Sequence, residues 1–190
     1  MPSVVPVVLY DANVLYPFHL RNLLVQMGVN DIVEPRWSDM IHEEWIRNLA
    51  VAGIADRARL LRTRDIMKRV LPGADIAGYE SRIDGLSLPD PNDRHVLAAA
   101  IAGGAAIILT FNTKHFPAGA LAPFGIVCRD PDGFLCDLYD LDPDAVLATA
   151  DAARLNLSRT APDQEAFLEA IARQRLTGFA ERLRVGWACP

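Results

Sequence analysis

The sequence predicts an α/β protein in which a parallel β-sheet is flanked by helices and followed by a helical C-terminal extension. Short apolar runs, rich in β-branched residues, alternate with helical patterns up to about residue 140. Such continuous apolar runs are typical of parallel strands that are buried on both faces. Residues 143–185 contain no strand candidate. We therefore expect one α/β domain over residues 1–140 and a helical extension over residues 141–190.

Four runs are the candidate strands, and the first of them covers residues 4–10. Because proline cannot donate a hydrogen bond to a sheet, this strand should begin after Pro6. The other candidates are residues 32–35, which make a short strand at best, residues 105–109 and residues 125–128.

The helical spacing of apolar residues and the residues at helix ends predict the helices between these strands. Ser38 is a suitable N-cap for a helix over residues 39–52. Gly103 and Gly104 should end the helix that opens at Asp90–Asp93. In the extension, Thr160 and Asp163 resemble a capping box. The remaining predicted helices cover residues 16–27, 54–70, 143–155 and 162–175, with a short helix that ends near residue 184.

The composition is that of a globular protein with a large core. Hydrophobic residues make up 51% of the 190 residues, and the formal net charge is −5. This charge argues against a protein that coats nucleic acid by bulk electrostatics, but it allows an enzyme with one basic rim or a basic partner protein. No apolar stretch approaches the roughly 20 residues that span a bilayer, and no secretory signal is recognisable. We expect a cytoplasmic protein without a membrane partner, whose cysteines (Cys128, Cys136 and Cys189) are reduced and bind no metal.

Three acidic clusters, far apart in the sequence, are the candidate functional residues. Asp11 follows the first predicted strand, Glu43 and Glu44 lie in a predicted helix, and Asp90–Asp93 open another helix. Sites on open α/β sheets form outside the carboxyl ends of the strands. Asp11 and Asn112 both follow strands, and Asp93 lies in the first turn of the helix that leads into the strand before Asn112. We expect these side chains at one edge of the sheet, whereas the position of Glu44 is not fixed by spacing.

Carboxylates that meet at such an edge indicate a site for a hard divalent cation. Mg²⁺ and Mn²⁺ prefer oxygen ligands, and a cation would offset the repulsion between neighbouring carboxylates and activate water toward a phosphodiester. Each acid also has a simpler interpretation when it is taken alone. Asp90 would be a helix N-cap before Pro91, Asp93 would favour the helix dipole, and Glu44 would be solvated helix surface.

Four segments, in this order, carry a resemblance to a known family. They are VLYDANVL at residues 8–15, EWIRNL at 44–49, PDPNDRHVLAAA at 89–100 and LTFNTKHFP at 109–117. With these segments the chain resembles the PIN-domain ribonucleases, and most closely the VapC-like toxins of bacterial type II toxin–antitoxin pairs. The helical extension also looks like the C-terminal region of one VapC-like subgroup.

The resemblance implies a PIN-like fold and a metal-dependent endoribonuclease that uses Mg²⁺ or Mn²⁺. Asp11, Glu44 and Asp93 fall on the acidic positions of the family and would hold the metal. Asn112 occupies the fourth acidic position and would share in catalysis without a charge. His115 stands where many relatives carry an aspartate.

The resemblance also implies the partners of the protein. These are an RNA substrate, a small antitoxin that blocks the site, often with a basic side chain, and a second copy of the chain in a homodimer. The candidate side chains for RNA phosphates are Arg36, Arg47, Lys114 and His115.

Two other functions remain open from the sequence. Asn112 in place of an acid is compatible with a non-catalytic PIN-fold module that binds RNA or protein. A phosphatase of the haloacid dehalogenase type also begins with a strand and an Asp-x-Asp pair, but Asn13 at the second position cannot act as its proton donor. A phosphoaspartate trapped on Asp11 would identify the phosphatase.

Overall fold

A computed structural model describes residues 5–157, 160 and 162–188 of the chain. Within these residues five strands form one parallel sheet in the order β3-β2-β1-β4-β5, and this architecture confirms the predicted α/β class. The strands are β1 (Val7–Tyr10), β2 (Glu34–Ser38), β3 (Asp75–Ile76), β4 (Ile107–Leu109) and β5 (Val127–Arg129).

Helices connect the strands and cover the sheet, and further helices follow the last strand. In the α/β part they are α1 (Ala12–Leu15), α2 (Phe18–Val29), α3 (Asp39–Val51), α4 (Arg57–Val70), α5 (Arg94–Ala102) and α6 (Ala118–Leu121). After β5 they are α7 (Pro131–Leu141), α8 (Pro143–Leu155), α9 (Gln164–Ala172) and α10 (Thr177–Ala188). Among the described residues, no helix has the length and apolarity that crossing a membrane requires.

The first strand is the centre of the sheet and of the core. Val8, Leu9 and Tyr10 are completely buried, and β1 pairs with β2 on one side and β4 on the other. The strand begins directly after Pro6, as predicted. One further hydrogen bond, from the backbone N–H of Asp11 to the carbonyl of Leu109 (3.1 Å), extends the pairing beyond β1. The carboxyl ends of β1 and β4 therefore lie side by side.

Two sequence-based boundaries were wrong for local reasons. The second strand was expected over residues 32–35, but it begins at Glu34 because the N–H groups of Ile32 and Val33 donate to the Met27 carbonyl in the turn after α2. A single helix was expected over residues 16–27. It is present as α2, which begins at Phe18 directly after Pro17 and extends to Val29. The short helix α1, which precedes it, was not predicted.

The sequence also missed strand β3 and helices α6 and α7, and it misplaced one cap. Strand β3 has only two residues, too few to show the alternation or apolar run that marks a strand. Helix α7 begins at Pro131, ten residues before the predicted start of the helical part at residue 141. Helix α9 is capped by Asp163, which accepts a hydrogen bond from the N–H of Ala166, rather than by Thr160. The cap at Ser38 is confirmed, because its hydroxyl accepts from the N–H of Ile41.

The C-terminal helices pack against the α/β part chiefly through α2. Val146, Ala150 and Ala153 of α8 are completely buried, and polar contacts flank them. Asn22 donates to the carbonyl of Ala153 (2.7 Å), and Asn30 donates to the hydroxyl of Thr149 (2.8 Å). The extension therefore shares the core of the protein and is not a loosely attached tail. Cys128 and Cys136 are free thiols, and Cys189 lies outside the described residues.

A carboxylate of α7 caps the last helix. Asp132 accepts hydrogen bonds from the N–H groups of Gly178 (2.9 Å) and Phe179 (2.8 Å), two of the four N–H groups that the first turn of α10 leaves without helical partners. Because Asp132 belongs to α7, this cap stabilises both helix α10 and the packing of α10 against α7.

We predict that Asp132→Ala lowers the free energy of unfolding by about 1–2 kcal/mol, because two N–H groups lose their acceptor. Urea unfolding followed by circular dichroism measures this. Asp84→Ala is the matched control, since Asp84 is exposed and its loss should change stability by less than about 0.5 kcal/mol. Equal stability of the two variants would contradict the cap.

Candidate metal centre

Asp11 is the buried carboxylate at the carboxyl end of the central strand. Its backbone is still extended, and its side chain caps α1 by accepting from the N–H of Ala12 (2.7 Å). Only 4% of the residue is exposed. A sharp strand-to-helix transition thus holds the carboxylate at the edge of the sheet.

A network of polar side chains holds the second oxygen of Asp11. Oδ2 accepts from the hydroxyl of Thr110 (2.6 Å) and from the amide of Asn13 (2.7 Å). Asn13 in turn accepts from the N–H of Phe111, and the Thr110 hydroxyl accepts from the N–H of Asn112. The network joins the ends of β1 and β4 and fixes the orientation of the carboxylate.

The protein environment disfavours a charge on Asp11. Burial raises the pKa of Asp11 from 3.8 to about 6; the Thr110 hydrogen bond opposes this rise, and the nearby charges of Glu44 and Asp93 add to it. Glu44 and Asp93 are thus close enough to Asp11 for their charges to act on it. Their mutual repulsion would be relieved by a cation.

Asp93 lies at the start of α5, and its Oδ2 lies 2.7 Å from Nδ1 of His115. Burial raises the pKa of Asp93, while the hydrogen bond from His115 lowers it. Asp90 caps the preceding 3₁₀ turn by accepting from the N–H of Asn92 (2.9 Å), which confirms its predicted capping role.

Glu44 projects from α3, which is anchored by the buried Trp45 and Ile46. Its Oε2 lies 3.5 Å from Nε2 of His95. The other ring nitrogen of His95, Nδ1, is buried and has no hydrogen-bond partner among the described residues. Glu44 accepts no hydrogen bond from a described residue, so its carboxylate has capacity for another partner.

An open pocket of about 640 Å³ connects these side chains. Glu44, Asp93 and Asn112 all line it, whereas the buried Asp11 does not. The complete lining is Met40, Glu43, Glu44, Arg47, Asp90, Asn92, Asp93, His95, Asn112 and His115. The structure thus brings three of the four predicted site residues to one surface and places the fourth beneath the same edge of the sheet.

The tightest group of possible ligands differs from the predicted one. In the described part of the chain, Asp90, Asp93 and His115 place one ligand atom each within 4.8 Å of one another, and Asp11, Glu44 and Asp93 do not form such a group. Each predicted acid has a different neighbour: Thr110 donates to Asp11, His115 is hydrogen-bonded to Asp93, and His95 lies 3.5 Å from Glu44. The sequence-based reasoning missed these partners. Thr110, at the end of β4, could have been found by the strand-end argument that identified Asn112.

The proposed phosphate contacts lie in different environments. Arg36 is bound to Glu34 and to the carbonyls of Pro35 and Gly103, and Gly103 precedes β4, so its guanidinium faces the opposite edge of the sheet. Arg47 lines the pocket and Lys114 is exposed beside it. His115 is hydrogen-bonded to Asp93 through Nδ1, so that this nitrogen is not available to a phosphate.

The pattern that joins these residues matches a family model. The PIN domain model covers residues 7–114, more than half of the chain. The chain belongs to the PIN-domain family. The PIN domain is followed by a match to the VapC50 C-terminal domain over residues 131–185, which begins at the first residue of α7.

One curated relative of this PIN-domain protein is the "Putative ribonuclease VapC50" of Mycobacterium tuberculosis (strain ATCC 25618 / H37Rv). The two chains are 52% identical over 56 residues, which are 30% of this chain and 33% of the relative. The match thus spans about a third of the length of that protein. No solved structure matches the chain.

We predict that Thr110→Val destabilises the PIN domain by about 1–3 kcal/mol, because the completely buried hydroxyl serves Asp11, Asn13 and Asn112. Thr110→Ser keeps the hydroxyl and removes one methyl group, which costs about 1 kcal/mol or less. Chemical denaturation compares the two. If valine were tolerated as well as serine, the hydroxyl would not hold the network.

Proposed function

We propose that this PIN-domain protein is a metal-dependent endoribonuclease that hydrolyses RNA phosphodiester bonds, and the toxin of a VapBC-type toxin–antitoxin pair. The observation that carries the proposal is the set of acids around the carboxyl end of β1, where the charges of Glu44 and Asp93 act on the buried Asp11. Membership of the PIN-domain family and the similarity to a putative ribonuclease support it.

The side chains fit a hard divalent cation, Mg²⁺ or Mn²⁺. All the proposed ligands, Asp11, Glu44 and Asp93, are carboxylates, which such ions prefer over nitrogen or sulfur. The Asp11 carboxylate is buried without a cationic side chain hydrogen-bonded to it among the described residues, and a bound cation would compensate its charge. When bound, the cation would activate water and neutralise charge that develops on the phosphate.

In this proposal the polar residues around the acids orient the metal ligands or bind the substrate. Thr110 and Asn13 orient Asp11, and His115 orients Asp93, as polar neighbours of ligands commonly do. His95 lies 3.5 Å from Glu44. Asn112, at the rim of the pocket, offers an amide that can bind the substrate without adding negative charge.

Charge explains why a partner is part of the proposal. The pocket has four carboxylates, from Glu43, Glu44, Asp90 and Asp93, and one arginine, Arg47. A basic side chain of a small antitoxin would be attracted to such a pocket and would exclude RNA from it. A homodimer, expected from the family resemblance, stays part of the proposal.

We predict that Glu44→Gln reduces Mg²⁺-dependent RNA cleavage by about a hundredfold or more, corresponding to roughly 2.7 kcal/mol of transition-state stabilisation, because a metal ligand loses its charge. Asp11→Asn and Asp93→Asn should have the same effect. The adjacent Glu43 is the matched control: it lines the same pocket, but both oxygens of its carboxylate accept hydrogen bonds from Arg57.

Glu43→Gln should cleave RNA within about threefold of the parent, a difference of ~0.7 kcal/mol or less. The measurement is the initial rate on a fluorophore-quencher RNA, with circular dichroism to verify folding. Loss of activity in Glu43→Gln but not in Glu44→Gln would refute the assignment. Metal binding by a folded parent that cleaves no RNA would favour the non-catalytic alternative.

A further inference from the structure

One residue of the C-terminal extension contacts the segment after β4 that carries Thr110 and Asn112. Arg175 lies in the turn between α9 and α10, and its guanidinium carbon lies 4.6 Å from the ring centroid of Phe111. Phe111 lies between Thr110 and Asn112, and its N–H donates to Asn13, which binds Asp11. The guanidinium is therefore attached to the segment that carries the site.

The turn that carries Arg175 is fixed on both sides. The side chain of Gln174 accepts from the N–H of Leu20 at the start of α2 (2.9 Å), and Leu176 is completely buried. Arg175 itself is exposed. The neighbours thus hold the backbone in place while the arginine side chain is exposed beside Phe111.

The backbone of Arg175 is strained. Its φ is +69°, and Asp31 is the one other non-glycine residue of the described chain with a positive φ. An arginine in this region costs free energy that a glycine would not. Strained residues often mark functional positions, and glycine would meet this positive φ at a lower cost than arginine does.

Arg175 also differs in charge pairing from the other described arginines of the extension. Arg154, Arg173, Arg182 and Arg184 each form a salt bridge with an aspartate or glutamate. Arg175 has no carboxylate partner in the part of the chain that the structure describes. Its planar face is stacked, while its N–H groups remain available to an anion.

We propose that Arg175 binds a backbone phosphate of the RNA substrate beside the metal centre, so that the C-terminal extension supplies part of the RNA-binding surface. This inference rests on the proposed ribonuclease function. A guanidinium can donate two parallel hydrogen bonds to a phosphate, and stacking on Phe111 keeps it oriented. The extension thus supplies positive charge close to an acidic pocket that would otherwise repel RNA.

The test is the affinity of the full chain for a fluorescently labelled, random-sequence pool of single-stranded RNA, with Ca²⁺ replacing Mg²⁺ to suppress cleavage. Arg175→Ala should raise the Kd about tenfold. The slope of log K against log salt should decrease by about 0.7, the value for one phosphate contact on a single strand. Arg175→Lys should recover part of the affinity.

Arg173→Ala is the matched control, because it removes the same charge from the same turn, but Arg173 pairs with Glu169. It should leave both the Kd and the salt slope unchanged. Arg175→Gly separates binding from folding: glycine accepts the positive φ, so the melting temperature should be equal or higher while RNA affinity falls as in Arg175→Ala.

Three outcomes would overturn the inference. If the parent binds RNA and Arg175→Ala binds it with the same Kd and salt slope, the inference fails and the ribonuclease proposal stands. If Arg173→Ala weakens binding as much as Arg175→Ala, the effect is one of overall charge. If the parent neither binds RNA nor cleaves it with Mg²⁺, both proposals fail together.

Discussion

A buried carboxylate at the end of the central strand is the constraint on which the rest of the structure depends. Asp11 follows β1 and caps α1. Its carboxylate also accepts hydrogen bonds from Asn13 in α1 and from Thr110 after β4. Burial raises the pKa of Asp11 to about 6. At neutral pH the buried charge of Asp11 therefore lowers the free energy of unfolding of the protein. Such a cost is expected where function requires the charge. Thr110 and Asn13 reduce the cost through hydrogen bonds, and a divalent cation would reduce it further.

The fold delivers the other acids to this edge through packing. Glu44 reaches it because Trp45 and Ile46 bury the opposite face of α3, and Asp93 reaches it because α5 leads into β4. The extension is also part of this arrangement. It packs along α2 and returns at Arg175 to the ring of Phe111. The extension thus contacts the segment after β4 that also carries Thr110 and Asn112.

Much of this organisation could be predicted from the sequence, and the failures have physical causes. Strand-end logic placed Asp11 and Asn112 at one edge, because parallel strands share the direction of their carboxyl ends. Helix α7 was missed although Asp130 and Pro131 form the same cap-and-proline signal that marks α8 at Asp142 and Pro143. The stacking of Arg175 on Phe111 could not be foreseen, because it depends on how distant segments pack. The same holds for the histidine partners of Glu44 and Asp93.

The central claim is that Asp11, Glu44 and Asp93 share a cation, and it competes with the closer group of Asp90, Asp93 and His115. Calorimetric titration of Mn²⁺ into the parent, Asp11→Asn, Glu44→Gln and Asp90→Asn distinguishes them most directly. The account predicts that binding is weakened at least tenfold, ~1.4 kcal/mol, in Asp11→Asn and Glu44→Gln and is retained in Asp90→Asn. Binding that survives in the first two variants and disappears in Asp90→Asn would contradict it.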